Sequence, residues 1–141
     1  MRLLLAEDDR ATQLRLASYV KEWGFEPITA NDGAEAWAIF QDQDIGCVIS
    51  DWMMPEMDGL ELVRRIRQAQ KGTYVYVILL TGHTDKRNLV EGMEAGADDF
   101  LTKPFDKDEL RVRLRAGERI VALERRLAER NQELSMFTSV A

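Results

Sequence analysis

The sequence predicts an α/β protein, a doubly wound parallel sheet with helices on both faces. Three observations predict it. Short aliphatic and β-branched runs recur along the chain, nearly continuous rather than alternating, as strands covered on both faces must be. Helical stripes lie between them. The two kinds of segment alternate as βα five times, which implies parallel strands joined by right-handed crossovers.

The first strand is Leu3-Leu4-Leu5-Ala6. Leu16, Tyr19, Val20 and Trp23 follow i, i+3, i+4, i+7 on the first helix, which Gly24 ends by tolerating a left-handed turn. A weaker strand, Glu26–Ala30, comes next. Asp32 and Glu35 then have the spacing of a capping box, opening a helix that buries Ala36, Trp37 and Phe40. Cys47-Val48-Ile49-Ser50 is the third strand, and Leu62, Val63 and Ile66 mark the third helix. The fourth strand is Val75–Leu80, and Leu89, Val90, Met93 and Ala97 mark the helix after it. Asp99–Thr102 is a second weak strand. After Pro104, Asp106 and Glu109 open a last helix whose strong helix formers run to about Ser135.

A chain of 141 residues fits one domain and can bury a full core. With 45% hydrophobic and 31% charged residues it is neither disordered nor membrane-like, and a net charge of −6 disfavours a general nucleic-acid surface. The lone Cys47 excludes an internal disulfide and reads as a small core residue. There is no long apolar stretch and no signal-peptide layout, so the reducing cytoplasm is the expected location, with no membrane partner.

Ligands of such sheets bind beyond the carboxyl ends of the strands. Glu7-Asp8-Asp9 follows the first strand, Asp51 the third, Thr81 the fourth and Lys103 the fifth. Clustered carboxylates repel unless a cation offsets them, and magnesium suits this set: it takes one or two carboxylates and keeps positions for water and phosphate oxygens. The acidic run alone reads rather as a helix N-terminal cap. Together with Asp51 and Lys103 it favours a metal site. A carboxylate beside such a metal can attack a phosphoryl group and form an acyl phosphate. Magnesium, the Lys103 ammonium and the Thr81 hydroxyl with nearby amides would then take one phosphoryl oxygen each.

These residues bring out a resemblance. Leu4–Asp9, Ile49–Gly59 (the run Ile-Ser-Asp-Trp-Met-Met-Pro-Glu-Met-Asp-Gly), Leu80-Thr81-Gly82 and Gly96–Phe105 resemble, in order, the motifs of the response-regulator receiver family of two-component signalling, to about Ala116. The resemblance implies a flavodoxin-like (βα)5 fold with strand order 2-1-3-4-5. It makes Asp51 the phosphoacceptor, and Asp8 a direct magnesium ligand. Glu7 would act mainly through water, the Met53 backbone carbonyl would be a further ligand, and Asp9 is a surplus acid. Lys103 is the phosphate-pairing lysine, with a cis bond to Pro104. The implied donor is a sensor histidine kinase or a phosphotransfer protein.

The resemblance also gives Thr81 and Phe100 switch roles. The hydroxyl moves toward the phosphate, and the aromatic ring, without the tyrosine hydroxyl of many members, rotates by packing alone or stays as core. The surface this changes is the fourth helix, fifth strand and fifth helix. His83 is expected in a solvated loop near the phosphate, and the apolar Met53 is expected to slow hydrolysis. Trp52 is expected to be partly exposed, and Trp23 and Trp37 to pack helices.

A receiver occupies residues 1–117 on this reading, and residues 118–141 form a helical extension. Ile120, Leu123, Leu127, Leu134 and Phe137 lie on a heptad seam broken by Arg130, which suits pairing with a second copy and passage to an output domain of a longer regulator. No DNA-recognition module is present in the sequence. A haloacid-dehalogenase phosphatase would want an acid where Met53 stands. A flavin binder's phosphate would be repelled by Glu7-Asp8-Asp9. A pseudo-receiver, a phosphorylation-independent interaction module, would not need Asp8, Asp51, Thr81 and Lys103 together.

Overall fold

The computed structural model describes residues 1–69, 73–82 and 86–140, with the backbone alone for 86, 87 and 136–140. Five strands alternate with five helices: β1 (Arg2–Ala6), α1 (Arg10–Glu22), β2 (Glu26–Ala30), α2 (Gly33–Asp42), β3 (Cys47–Asp51), α3 (Gly59–Ala69), β4 (Tyr76–Thr81), α4 (Lys86–Ala95), β5 (Asp99–Thr102) and α5 (Lys107–Val140). All pair in parallel, in the order β2-β1-β3-β4-β5. The fold is the flavodoxin-like one expected, with a long last helix.

Strand side chains alternate between two buried faces, which is why the strands read as continuous apolar runs. Leu3, Leu5, Ile49 and Ile78 point to the layer holding Leu16 and Val20 of α1 and Leu110, Leu114 and Val121 of α5. Leu4, Val48, Val77 and Leu79 point to the opposite layer, with Ala36 and Phe40 of α2 and Leu62, Val63 and Ile66 of α3. Each fully buried Leu or Ile contributes about 1.5–3 kcal/mol, so this sheet holds the strand ends rigidly. Among the described residues no helix is long and apolar enough to cross a membrane.

Local signals explain most boundaries. The Asp9 side chain caps α1, and Gly24, at φ 94°, follows its C-cap Trp23. Asp32 caps α2 by accepting from the Glu35 amide, but the reciprocal bond of a capping box goes elsewhere: Glu35 accepts from the Asn31 amide. Trp23 stacks on Tyr19 and Trp37 on Phe40, with Trp37 only partly buried.

One stripe is misplaced by the sequence reading. On α4, Val90 is 47% and Met93 55% exposed, whereas Gly92 is the buried position among the described residues of the helix; Ala97 is buried but lies past the helix end at Ala95. A Cβ on Gly92 would stand 2.6 Å from the Phe100 ring and 3.3 Å from Trp52, so the helix seats its bare backbone at Gly92, with the small Ala95, on the domain. Apolar periodicity cannot register a glycine used this way.

The last helix also exceeds expectation, with 34 residues, about 50 Å at 1.5 Å per residue. Its domain-facing side carries Leu110, Leu114 and Val121, while Ile120, Leu123, Leu127 and Leu134 are 38–61% exposed. The Phe137 side chain lies outside the described residues.

Candidate functional site

Because β1 lies between β2 and β3, the direction of strand progression reverses at β1, and a crevice opens beyond the ends of β1 and β3. Ala6 is the register partner of Ser50, which sets Glu7 beside Asp51. Asp51 and Thr81 prove to be the last residues of their strands rather than the first beyond them. Rigid strands therefore carry both.

Lys103 joins the set. Its Nζ stands 2.9 Å from Asp51 Oδ2 and 3.1 Å from Glu7 Oε2, and its backbone N–H donates to the Thr81 carbonyl at 2.8 Å. The Lys103–Pro104 bond is cis. Glu7, Asp8 and Asp51 offer carboxylate oxygens within 4.8 Å of one another. Glu7 is 1% exposed and Asp51 9%, while Asp8 faces solvent. The other Asp51 oxygen, Oδ1, accepts from the Trp52 amide at 2.9 Å.

The electrostatics follow from burial. Burial pushes the Glu7 carboxyl above its ordinary value, and the Asp51 charge adds to this against the Asp9 amide and Lys103. Burial would lower the Lys103 ammonium, but its hydrogen bonds to Asp51 and Glu7 outweigh it and hold it above the usual lysine value. With all three acids ionised, one ammonium leaves two formal negative charges in a partly dry crevice. Hard oxygen donors in this number fit a small divalent cation such as magnesium.

Asp9 does something else. Its Oδ2 accepts from the Thr12 amide at 3.0 Å and from the Thr12 hydroxyl, which hold its carboxyl below the usual range. The helix-cap reading of the acidic run thus applies to its third member, and Asp9 stands outside the three-carboxylate group. His83 lies outside the described residues. Thr81 is buried at the end of β4, one residue past Leu80, the register partner of Asp51. Met53 is 68% exposed. Phe100 is half-buried against Gly92, beside Trp52, on the face of the sheet away from α5.

Two supporting residues have no role assigned in the sequence reading. Gln13, 1% exposed, donates from Nε2 to the backbone carbonyls of Glu7 and Ala30, at 3.0 and 3.1 Å, and so ties the ends of β1 and β2 together behind the acids. A signal existed: Gln13 is in line with Leu16 and Val20, a polar residue in an apolar stripe. Gly59 opens α3 so close to β3 that a Cβ would lie 2.2 Å from the Asp51 carbonyl oxygen. A concavity of about 410 Å³ lies at the opposite end of the sheet, between Phe40, Ile66, Tyr74 and Glu124. Arg67 and Asp98 in its wall are paired with each other, so it offers no free chemistry of that kind.

Comparison with known proteins bears on the same segments. A family model described as the response regulator receiver domain matches residues 3–115. Response regulator RppA of Synechocystis sp. is 40% identical over 129 residues, covering 84% of this chain and 51% of that protein. The phosphate regulon transcriptional regulatory protein PhoB of Pseudomonas aeruginosa is 32% identical, covering 81% and 50%. The chain thus spans about half the length of these relatives. Among solved structures, the Francisella response regulator 1452 receiver domain superposes with a TM-score of 0.77 at 33% identity, covering 82% of this chain and 94% of that one. Vibrio cholerae CheY4 gives 0.77 at 30%, covering 82% and 96%.

Proposed function

Since this chain belongs to the response regulator receiver family, we propose that it is a phospho-accepting switch whose working residue is Asp51. One observation carries the reading: Lys103 Nζ bridges Asp51 and Glu7, at 2.9 and 3.1 Å, at the edge of a three-carboxylate group at the topological switch point. An Asp51 carboxylate oxygen attacks the phosphorus of a phosphohistidine on a sensor histidine kinase or phosphotransfer protein. The N–P bond breaks, its electron pair stays on the imidazole nitrogen, and an acyl phosphate forms. Lys103 then pairs with a phosphoryl oxygen, and the Thr81 hydroxyl takes another. Magnesium, held by Asp8, Asp51 and the Met53 carbonyl and by Glu7 through water, would neutralise charge on the phosphoryl group.

The readout follows from the same residues. As Thr81 turns toward the phosphate, Phe100 shifts from its present contact with Gly92, beside Trp52, and the face made by α4, β5 and α5 changes. The phosphate shifts this equilibrium only by its preference for one state. On this reading residues 1–117 are the receiver and 118–141 an extension through which two copies associate, acting in the cytoplasm on an output.

The test is incubation with acetyl phosphate, with and without magnesium, followed by intact mass. The expected result is a magnesium-dependent adduct on the wild type and none on Asp51→Asn. No adduct on the wild type overturns the proposal and leaves a phosphorylation-independent interaction module; an undiminished adduct on Asp51→Asn overturns Asp51 as the acceptor.

A further inference from the structure

The α5 helix carries two stripes on well-separated sides. Leu110, Leu114 and Val121 are buried on the domain, and they sit within about 40° of one another at 100° per residue. Ile120, Leu123 and Leu127 are exposed and project to one side of that stripe, about 80° or more away. A second helix can therefore cover the outer stripe without disturbing the inner one.

The charges divide in the same way. Near the domain, Arg115 pairs with Glu118 at 3.1 Å and reaches the Trp23 carbonyl, and Arg125 approaches Asp44 at 3.5 Å, although its buried Nε has no partner among the described residues. Arg119 and Glu124, which flank the outer stripe, have no ion pair among the described residues. With Ile120 and Leu127 at a and Leu123 at d of a heptad, Arg119 is a g position and Glu124 the following e position.

We infer that the outer stripe of α5 pairs in parallel and in register with the same stripe of a second copy. This rests on the association through α5 proposed above and adds its orientation and register. In the parallel pair Arg119 faces Glu124 of the other copy, twice by symmetry, and Arg126 faces Asn131. An antiparallel pair that packs Leu123 on Leu127 sets Glu124 against Glu124 and Arg126 against Arg126. Like charges at these positions oppose that arrangement. The parallel pair places Arg130 opposite itself at d, so the contact is concentration-dependent rather than obligate.

Sedimentation of the full chain and disulfide trapping test this together. The wild type is expected to dimerise reversibly. Glu124→Arg weakens the dimer about tenfold, and the double variant Arg119→Glu with Glu124→Arg restores it. Ile120→Cys and Leu134→Cys, made separately at exposed positions, each form a self-disulfide; Cys47, buried in the core, stays reduced as the internal control. A wild type that stays monomeric overturns both the association and its register. A dimer in which neither cysteine cross-links to itself, while Leu134→Cys joins Ala116→Cys, overturns the parallel register alone. The Asp51 adduct is read by mass and is independent of either result.

Discussion

The side-chain amide of Gln13 donates to the backbone carbonyl of Glu7 at 3.0 Å, from a position on α1 that is otherwise part of an apolar stripe. It also reaches the Ala30 carbonyl, so one buried group positions the acidic loop against two strands. Gln13→Leu keeps the volume but leaves buried carbonyls without that donor, at a cost of about 1–3 kcal/mol. Denaturant unfolding measures this. Magnesium affinity, followed by Trp52 emission, is expected to fall as well. Lost stability with unchanged affinity would make Gln13 a structural residue only.

Glu7 sets a pH dependence. Burial raises its carboxyl above 4.5, so the fold favours the protonated form. Its contribution to stability is present below 4.5 and is lost as pH rises through the higher folded value. The ligand-free protein is therefore expected to lose stability relative to Glu7→Gln as pH is raised from about 4 to 8. Magnesium at saturating concentration offsets this loss, so the difference in pH dependence between the wild type and the variant narrows. Parallel pH curves for the two proteins contradict this.

Gly92 and Phe100 are coupled by contact. Alanine in place of glycine within a helix gains up to about 1 kcal/mol, but here the Cβ would meet the ring at 2.6 Å. Gly92→Ala is expected to displace Phe100 and shift Trp52 emission, with little or no gain in stability. In a Phe100→Ala background the same substitution stabilises. A double-mutant cycle is expected to return a coupling of about 1 kcal/mol or more; additivity would separate the ring from α4.

Met53 stands exposed two residues after Asp51, and on the proposed function its apolar side chain would hinder an attacking water. Met53→Asn is expected to shorten the lifetime of the Asp51 acyl phosphate several-fold, about 1 kcal/mol in barrier height. Loss of the adduct with time, followed by intact mass, measures it. An unchanged lifetime removes Met53 from the control of hydrolysis.

Much of the fold was legible because its signals are local. Continuous apolar runs marked strands buried on both faces, and Asp9, Asp32 and Gly24 stand where helix ends need them. The α4 face was misread because Gly92 leaves no apolar mark. Gln13 carries no such mark because its partners are the backbone carbonyls of Glu7, just past β1, and of Ala30 in β2, seventeen residues away.

By itself the sequence determined that carboxylates, a hydroxyl and an ammonium gather at one end of a parallel sheet. Strand periodicity and βα alternation are enough for that, since every such strand points the same way. Only the tertiary structure decided how three consecutive acids divide their work. Neighbouring side chains diverge where a strand turns into a helix: Glu7 turns inward to Lys103, Asp8 stays at the surface of the carboxylate group, and Asp9 caps α1. That division depends on Lys103, 96 residues away, reaching between Glu7 and Asp51, and distant charges meet only when the sheet has closed.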